Sequence, residues 1–448
     1  MTVTCVLVLF FHLRLTGNPM SRLLTVFALT ENGSLKADAW GNETEDKAVI
    51  DGHTYSDKAP LSSFLLLPFY GVWRAFKGPG LPPNARDVGL HLGNLVGGAI
   101  PFAAFLAMLW WRLMQRGDWR ARSTVPLALL AGFGSVLFNY GNAYFGHMLA
   151  ATCFLGAWVL LMDVQRHFVL AGCLISCAVL AEYPTGMMAV LLTLWVLLVH
   201  GRKPVLHFIG GALPGALSLG VYNFLVTGNP LKLSYSQVTS QWEPMKTNYG
   251  MRLPDPVAVW ELMFGQFRGM LFYAPALLVL LPLWLTGGDV KRRRFGVGIF
   301  VAYWLLMSAY FKWDGGWCTG PRHLVPVIAL AFYEGAIALQ ARPRTLWMVY
   351  LLSGVGLIIN LAAASTDPIV AENHLQPFFS DFWPRMARGE LTTHNLAVEL
   401  GLPNGRYLIG VWLALFAASS AGLAWLAGRL LRTPAPAPVP LPDGPAPA

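Results

Sequence analysis

The chain has little charge. Only 12% of its 448 residues are Asp, Glu, Lys or Arg, against about 25% in a soluble globular domain. That shortage excludes an ordinary water-soluble fold. Acidic residues are the scarcer sign, 23 against 32 Lys and Arg, which leaves a formal charge of +9. The basic residues sit in short loops between apolar blocks, so they read as topology signals rather than as a nucleic-acid face. Cysteine is sparse too: Cys5, Cys153, Cys173, Cys177 and Cys318. Four of these lie in apolar segments, and Cys173 and Cys177 share a helix face with no His or acid to complete a metal set. They read as packing thiols, with no disulfide framework. No internal repeat is visible, which removes one sequence sign of an inverted-repeat transporter.

What is abundant is apolar sequence, 55% of the chain. It comes in long blocks: 125–137, 148–162, 168–180, 187–199, 271–285, 300–310, 324–339 and 407–426. With their flanks most approach the ~20 residues that cross a ~30 Å hydrocarbon core. Lipid cannot satisfy free backbone N–H and C=O groups, so such spans are helices. A soluble bundle would need a polar face on each helix, and these blocks have none. The fold class is therefore all-α, a polytopic membrane protein.

The basic loops fix an expected topology. They lie at 112–122, Arg166, Arg202 and Lys203, 291–294, 342–344, and around Arg429 and Arg432. Two apolar blocks separate each from the next, so all six fit on the cytoplasmic side. Segment 14–88 then lies outside. Its apolar run 61–73 holds Pro68 and Gly71 and is short for a span, so it reads as an interfacial or re-entrant helix. The expected spans are 1–13, 89–111, 124–142, 145–163, 168–183, 185–200, 206–226, 269–287, 296–312, 323–341, 345–363 and 406–427. The first is short, as expected of a chain whose start lies further upstream. Residues 1–432 form one domain with outer loops 14–88, 228–268 and 364–405. The Ala-Pro-rich tail 433–448 is extended, disordered and cytoplasmic.

Unusual polar residues gather on the face opposite the basic loops. They include Asp38, Asp46, Tyr55, Asp57 and Lys58 in the first outer loop, then His147, Glu182, Trp313, Asp314, Trp317, Arg322 and His323. Each alone has a plain reading: Glu182 as a solvated helix end, Arg322 and His323 as interface anchors, Asp314 with two glycines as a turn. A one-sided cluster of this size is harder to dismiss, because ionisable groups at membrane depth usually mark function. It predicts a polar cavity open to the outside. Glu334, well inside a span, is the exception.

Tyr55-Ser56-Asp57-Lys58-Ala59-Pro60 resembles the aromatic-x-acid-Lys-Pro stretch in the first outer loop of the C-type glycosyltransferases, the group that includes aminoarabinose transferases and protein O-mannosyltransferases. The motif Trp313-Asp314-Gly315-Gly316-Trp317 with Gly320-Pro321-Arg322-His323 is similar to one in bacterial members. So are Tyr140 with Tyr144-Phe145-Gly146-His147, and Ala181-Glu182-Tyr183-Pro184. The resemblance implies inverting transfer of a sugar from a polyprenyl-phosphate donor to a lipid, glycan or protein acceptor at the outer face of the plasma membrane. It implies cations for the donor phosphate, Lys58 first, then Arg322 with His323 assisting. Tyr55, Trp313 and Trp317 would stack on sugar or prenyl groups. Glu182, Asp57, Asp314 and His147 would border the sugar or acceptor. No cofactor is required, with room for a divalent cation. Such enzymes carry a catalytic acid just after the first span. Here that place reads Gly17-Asn18-Pro19-Met20-Ser21-Arg22, so the base is expected to be Asp46 or Asp38, with Asp46 nearer the Lys58 motif.

A transporter or lipid-linked-sugar flippase is the alternative, and a non-catalytic scaffold a third. The readings separate on one observation. An enzyme should fold its outer loops over one cavity that gathers Lys58, Arg322, Glu182 and Asp46. A transporter should place such groups at mid-depth along a passage.

Overall fold

A computed structural model describes residues 1–78, 81–115, 121–164, 167–238 and 240–430. Positions 116–120, Arg166 and Arg432 of the basic loops, and the tail 433–448, lie outside the described residues. The chain opens with α1 (Thr2–Leu9) and α2 (Gly17–Asn32), then a hairpin of β1 (Ala48–Ile50) and β2 (His53–Tyr55), then α3 (Leu61–Ala75). One long rod follows, in which α4 (Ala85–Asn94) runs through a π-helical turn into α5 (Ile100–Gln115). After it come α6 (Ala121–Phe133), α7 (Leu137–Gly141), α8 (His147–Val159), α9 (Phe168–Ala181), α10 (Gly186–His200) and α11 (Arg202–Thr227). The second half holds α12 (Pro256–Phe264), α13 (Met270–Tyr273), α14 (Leu277–Thr286), α15 (Val290–Ser308), α16 (Val325–Gln340), α17 (Leu346–Thr366), α18 (Trp383–Arg388), α19 (Leu396–Glu399) and α20 (Tyr407–Leu430).

Seven of the described helical stretches are long and apolar enough to cross a membrane: Ala85–Gln115, His147–Val164, Tyr183–His200, Arg202–Thr227, Arg322–Gln340, Pro343–Thr366 and Tyr407–Arg429. Three shorter ones are also apolar. Burial sorts them. The apolar window of Arg322–Gln340 is 89% buried, against 22% for Arg202–Thr227, so α16 is the central post and α11 lies at the rim. On α11, Leu206, Ile209, Leu213, Leu217, Val221 and Phe224 form one stripe, each 45 to 65% exposed. A continuous apolar stripe of that length is foreign to a water-facing surface and suits lipid. The protein is a multi-pass membrane protein.

Three expected elements differ in form. The 124–142 block breaks between α6 and α7, because Gly134 packs against the backbone of α17: a Cβ there would lie 2.2 Å from the Ser353 carbonyl oxygen. The 269–287 block is split at Pro275 into α13 and α14, since proline removes a helix donor. Segment 14–88 contains α2, which the sequence reading left as loop. Its Met20, Leu23, Leu24 and Phe27 bury against Leu66 and Tyr70 of α3. On α3, Phe64, Leu65, Phe69 and Val72 stay exposed, an apolar face that fits an interfacial helix.

The two ends of the bundle carry different chemistry. At the basic-loop end, Arg292 reaches Asp163 (2.8 Å) and Glu334 (3.0 Å), Arg112 pairs with Asp163 (2.9 Å), and Trp158 donates to Glu334 (2.7 Å). Glu334 is thus a paired structural carboxylate. Arg322 precedes α16 and Glu334 lies near its far end, some twelve residues or ~18 Å along the axis. The remaining unusual groups sit at the Arg322 end.

Candidate active site

The Arg322 end is built by threading segment 10–60 over the helix mouths. Phe11 pairs with Asn395 of the 364–405 loop, and the Asn142 side chain donates to the Phe11 carbonyl (2.9 Å). Residues 14–18 then line a cavity of about 540 Å³. The β1–β2 hairpin turns at Asp51-Gly52, both at positive φ (50° and 78°), a pairing that tight hairpin turns favour. The turn sends Ser56, Asp57 and Lys58 back under α2. There Ser21 Oγ donates to Asp57 Oδ1 (2.8 Å), and Lys58 Nζ lies 2.9 Å from Asp57 Oδ2 and 3.0 Å from Asp46 Oδ2.

Lys58 is buried, and burial works against its charge, but Asp46 and Asp57 hold its ammonium above the ordinary lysine value. Burial likewise works against the Asp46 carboxylate. Lys58 outweighs it, with Arg322 and Arg22 assisting, and keeps the carboxyl below the usual aspartate value. Asp46 is therefore ionised at neutral pH. It also fills a particular space: a Cβ built on Gly17 would lie 3.5 Å from Asp46 Cγ. The Asp46 side chain thus lies in ordinary contact distance of Gly17, in the stretch after the first span.

Arg322 stands opposite. The turn that carries it is shaped by Gly315, Gly316 and Gly320, all left-handed (φ 76°, 67° and 61°), where a Cβ is disfavoured. The buried Arg268 guanidinium stitches this turn by donating to the carbonyls of Asp314 (2.6 Å), Cys318 (2.7 Å) and Gly316 (2.8 Å). Tyr140 adds a bond to the Thr319 carbonyl (2.7 Å). Arg322 itself lies 5.9 Å above the Phe145 ring, and its Nε is buried without a hydrogen-bond partner among the described residues. Arg322 thus lines the cavity with an unpartnered Nε donor, and a guanidinium is chemically suited to an anion.

A second cavity, about 260 Å³, adjoins the first and shares Asn18, Lys58, Tyr235, Tyr310 and Arg322 with it. Its wall holds His147, His323 and Glu182. Glu182 accepts from Arg22 (2.9 Å) and sits 3.7 Å from His147 Nδ1, while the His147 and His323 rings meet edge-on at 5.6 Å. Beyond it an apolar groove of about 900 Å³ runs between α9, α10 and α11. It shares Leu233 and Tyr249 with the second cavity.

The expected site residues divide accordingly. Asp46, Asp57, Lys58, Trp317 and Arg322 line the first cavity, and Glu182, His147 and His323 line its neighbour. Asp38 is elsewhere: it is exposed and accepts from the Thr54 backbone (2.6 Å) and His53 (2.8 Å), stapling the hairpin. Tyr55 is buried against Tyr222 and Val226 rather than facing a cavity. Trp313 and Asp314 border a neighbouring groove with Glu261 and Phe267, which shares Lys312 and Glu372 with the first cavity. Arg22, Arg268, Tyr235, Tyr310 and Glu372 escaped the sequence reading. The available signal for Arg22 and Arg268 was a cation on the face where the charge rule disfavours cations.

No protein-family model matches the chain, and no curated protein sequence does. Crystal structures of ArnT from Cupriavidus metallidurans, one in the apo state and one bound to undecaprenyl phosphate, align with it at a TM-score of 0.53. The alignment covers 96% of this chain and 76% of ArnT at 15% identity. The chain thus has the C-type glycosyltransferase fold that the outer-loop motifs implied.

Proposed function

We propose that the protein is a membrane glycosyltransferase that moves a sugar from a polyprenyl-phosphate donor to an acceptor hydroxyl, with inversion, at the outer face of the plasma membrane. One observation carries the reading. A guanidinium with an unpartnered donor, an ionised carboxylate and an apolar groove meet at connected cavities. An anionic head with a long apolar tail suits that junction. The ArnT structure holds undecaprenyl phosphate, a ligand of this chemistry.

The pairing of the charges supports a different order of roles from the one the motifs implied. Lys58 is already shared by two carboxylates, so Arg322 is the principal partner for the donor phosphate, with Lys58 positioning Asp46. The acceptor oxygen attacks the anomeric carbon from the face opposite the phosphate. The C–O bond to phosphate breaks, and its electron pair leaves on the phosphate, where Arg322 stabilises the growing charge. The acceptor proton passes to Asp46. Trp317 and Tyr310 offer aromatic surface for the sugar. Arg322 supplies the positive charge at the phosphate, and the scheme leaves room for a divalent cation beside it. The test is transfer by purified protein from a panel of polyprenyl-phosphate sugars, read as released polyprenyl phosphate. No release from any donor with any acceptor class would contradict the reading.

A further inference from the structure

A second group of chemistry-bearing side chains lies outside this site. His12 follows α1, His91 lies on α4, and Glu399 ends α19. His12 Nε2 and His91 Nε2 are 3.1 Å apart, and Glu399 Oε1 lies 2.9 Å from the first and 2.7 Å from the second. The three donor atoms close a triangle drawn from three distant parts of the chain.

The hydrogens of this group are fixed by its surroundings. His12 Nδ1 bonds the Leu9 carbonyl (3.2 Å), and His91 Nδ1 bonds the Asp87 carbonyl (2.6 Å). A carbonyl oxygen only accepts, so each Nδ1 carries the hydrogen. In the neutral rings both Nε2 atoms then present lone pairs, aimed at each other and at a carboxylate oxygen. Three electron donors converging on one point require a cation between them. Backbone carbonyls that set the histidine tautomer are the usual outer partners of a metal-bound imidazole. A tetrahedral ion with bonds of ~2.0–2.1 Å holds its ligands roughly 3.3 Å apart. The triangle is a few tenths of an ångström tighter, and His91 and Glu399 are both partly exposed, which leaves them room to open and gives an ion an entry path.

We propose that His12, His91 and Glu399 bind one divalent ion of the Zn2+ class. The ion would tie the strap after α1 to α4 and to the 364–405 loop. Two imidazoles and one carboxylate suit Zn2+ better than Mg2+ or Ca2+, which favour oxygen ligands. The His394 ring, 6.1 Å from that of His12, borders the same space and is the neighbour from which a fourth ligand would come. The consequence is structural. His12 is two residues before Arg14, where the chain begins to line the first cavity, so the ion would anchor that wall.

The rival cation is a proton on one ring. The test uses the full-length, tag-free protein in detergent, stripped with chelator, titrated with Zn2+ and read by elemental analysis after gel filtration. The expected result is one retained ion per chain, with affinity lowered by more than about 100-fold in His91→Ala and in Glu399→Gln, beyond the 10–100-fold typical of outer-shell changes. His91→Cys guards against a folding defect: it should restore binding and, with Co2+, give a near-ultraviolet thiolate-to-metal band. Wild-type protein that retains no ion, variants that retain it equally, or a folded His91→Cys protein without that band would each overturn the proposal. No readout depends on sugar transfer.

Discussion

Replacing Lys58 by Met removes the one ammonium that holds two carboxylates together. Its nitrogen lies 2.9 Å from Asp57 and 3.0 Å from Asp46, and Asp57 is 2% exposed. Removing one partner of a buried ion pair typically costs about 3–5 kcal/mol, because a charge is left without compensation. Asp57 keeps its bond from Ser21, while Asp46 keeps only the longer-range pull of Arg322 and Arg22. We therefore expect Lys58→Met to lose about 3–5 kcal/mol of stability, measured by graded denaturant unfolding in detergent. Adding Asp57→Asn removes the deeper stranded charge, so the double variant should regain part of the loss. A Lys58→Met protein as stable as the parent would refute the reasoning. So would a double variant whose loss equals the sum of the two single losses, since that would mean the residues do not interact.

Other perturbations probe neighbouring parts. Asp46 has a folded value below the ordinary aspartate value of about 3.9, so its charge and the pair's stabilisation are complete above that value and fade as pH falls through the lower one. Transfer should hold steady from about pH 5 to 7 on this account, and a pH–rate profile of Lys58→Met should show its acid limb moved upward. In Gly315→Ala the new Cβ would lie 2.9 Å from Arg322 Nε at a left-handed position, where a side chain costs about 1–2 kcal/mol. A transfer assay should show a loss of tenfold or more; unchanged activity would detach that turn from the site. In Gly146→Ala the Cβ would meet the Ala181 carbonyl at 2.3 Å and Glu182 at 2.4 Å, so roughly 1–3 kcal/mol of stability should go. Gly186→Ala, with nothing within 4 Å, is the near-neutral control in the same unfolding assay.

How far the sequence could be read depended on the range of the interaction involved. The apolar blocks and basic loops are local, and they pointed directly to an all-α membrane fold with its polar groups at one end. That Lys58, Arg322, Glu182 and Asp46 meet at one end was legible only from their joint placement opposite the basic loops, since each alone had a plain reading. The hairpin's work was not: Tyr55 and Asp38 lie in the same outer loop as Lys58, yet one packs inward and the other staples the turn. Which side chain faces a cavity depends on backbone direction, set here by Asp51-Gly52. Arg268 shows the opposite limit. Its partners are carbonyls about fifty positions away, and carbonyls leave no trace in residue identity.

The central claim is that Arg322 receives the donor phosphate while Asp46 takes the acceptor proton. The direct measurement is single-turnover sugar transfer by purified protein with a donor that the wild type accepts, comparing Arg322→Ala and Asp46→Asn. Removing one preorganised donor to developing charge typically slows reaction by about 10²–10³, so each variant should insert into membranes, stay folded and transfer at least a hundredfold more slowly. Full transfer by both folded variants would contradict the account.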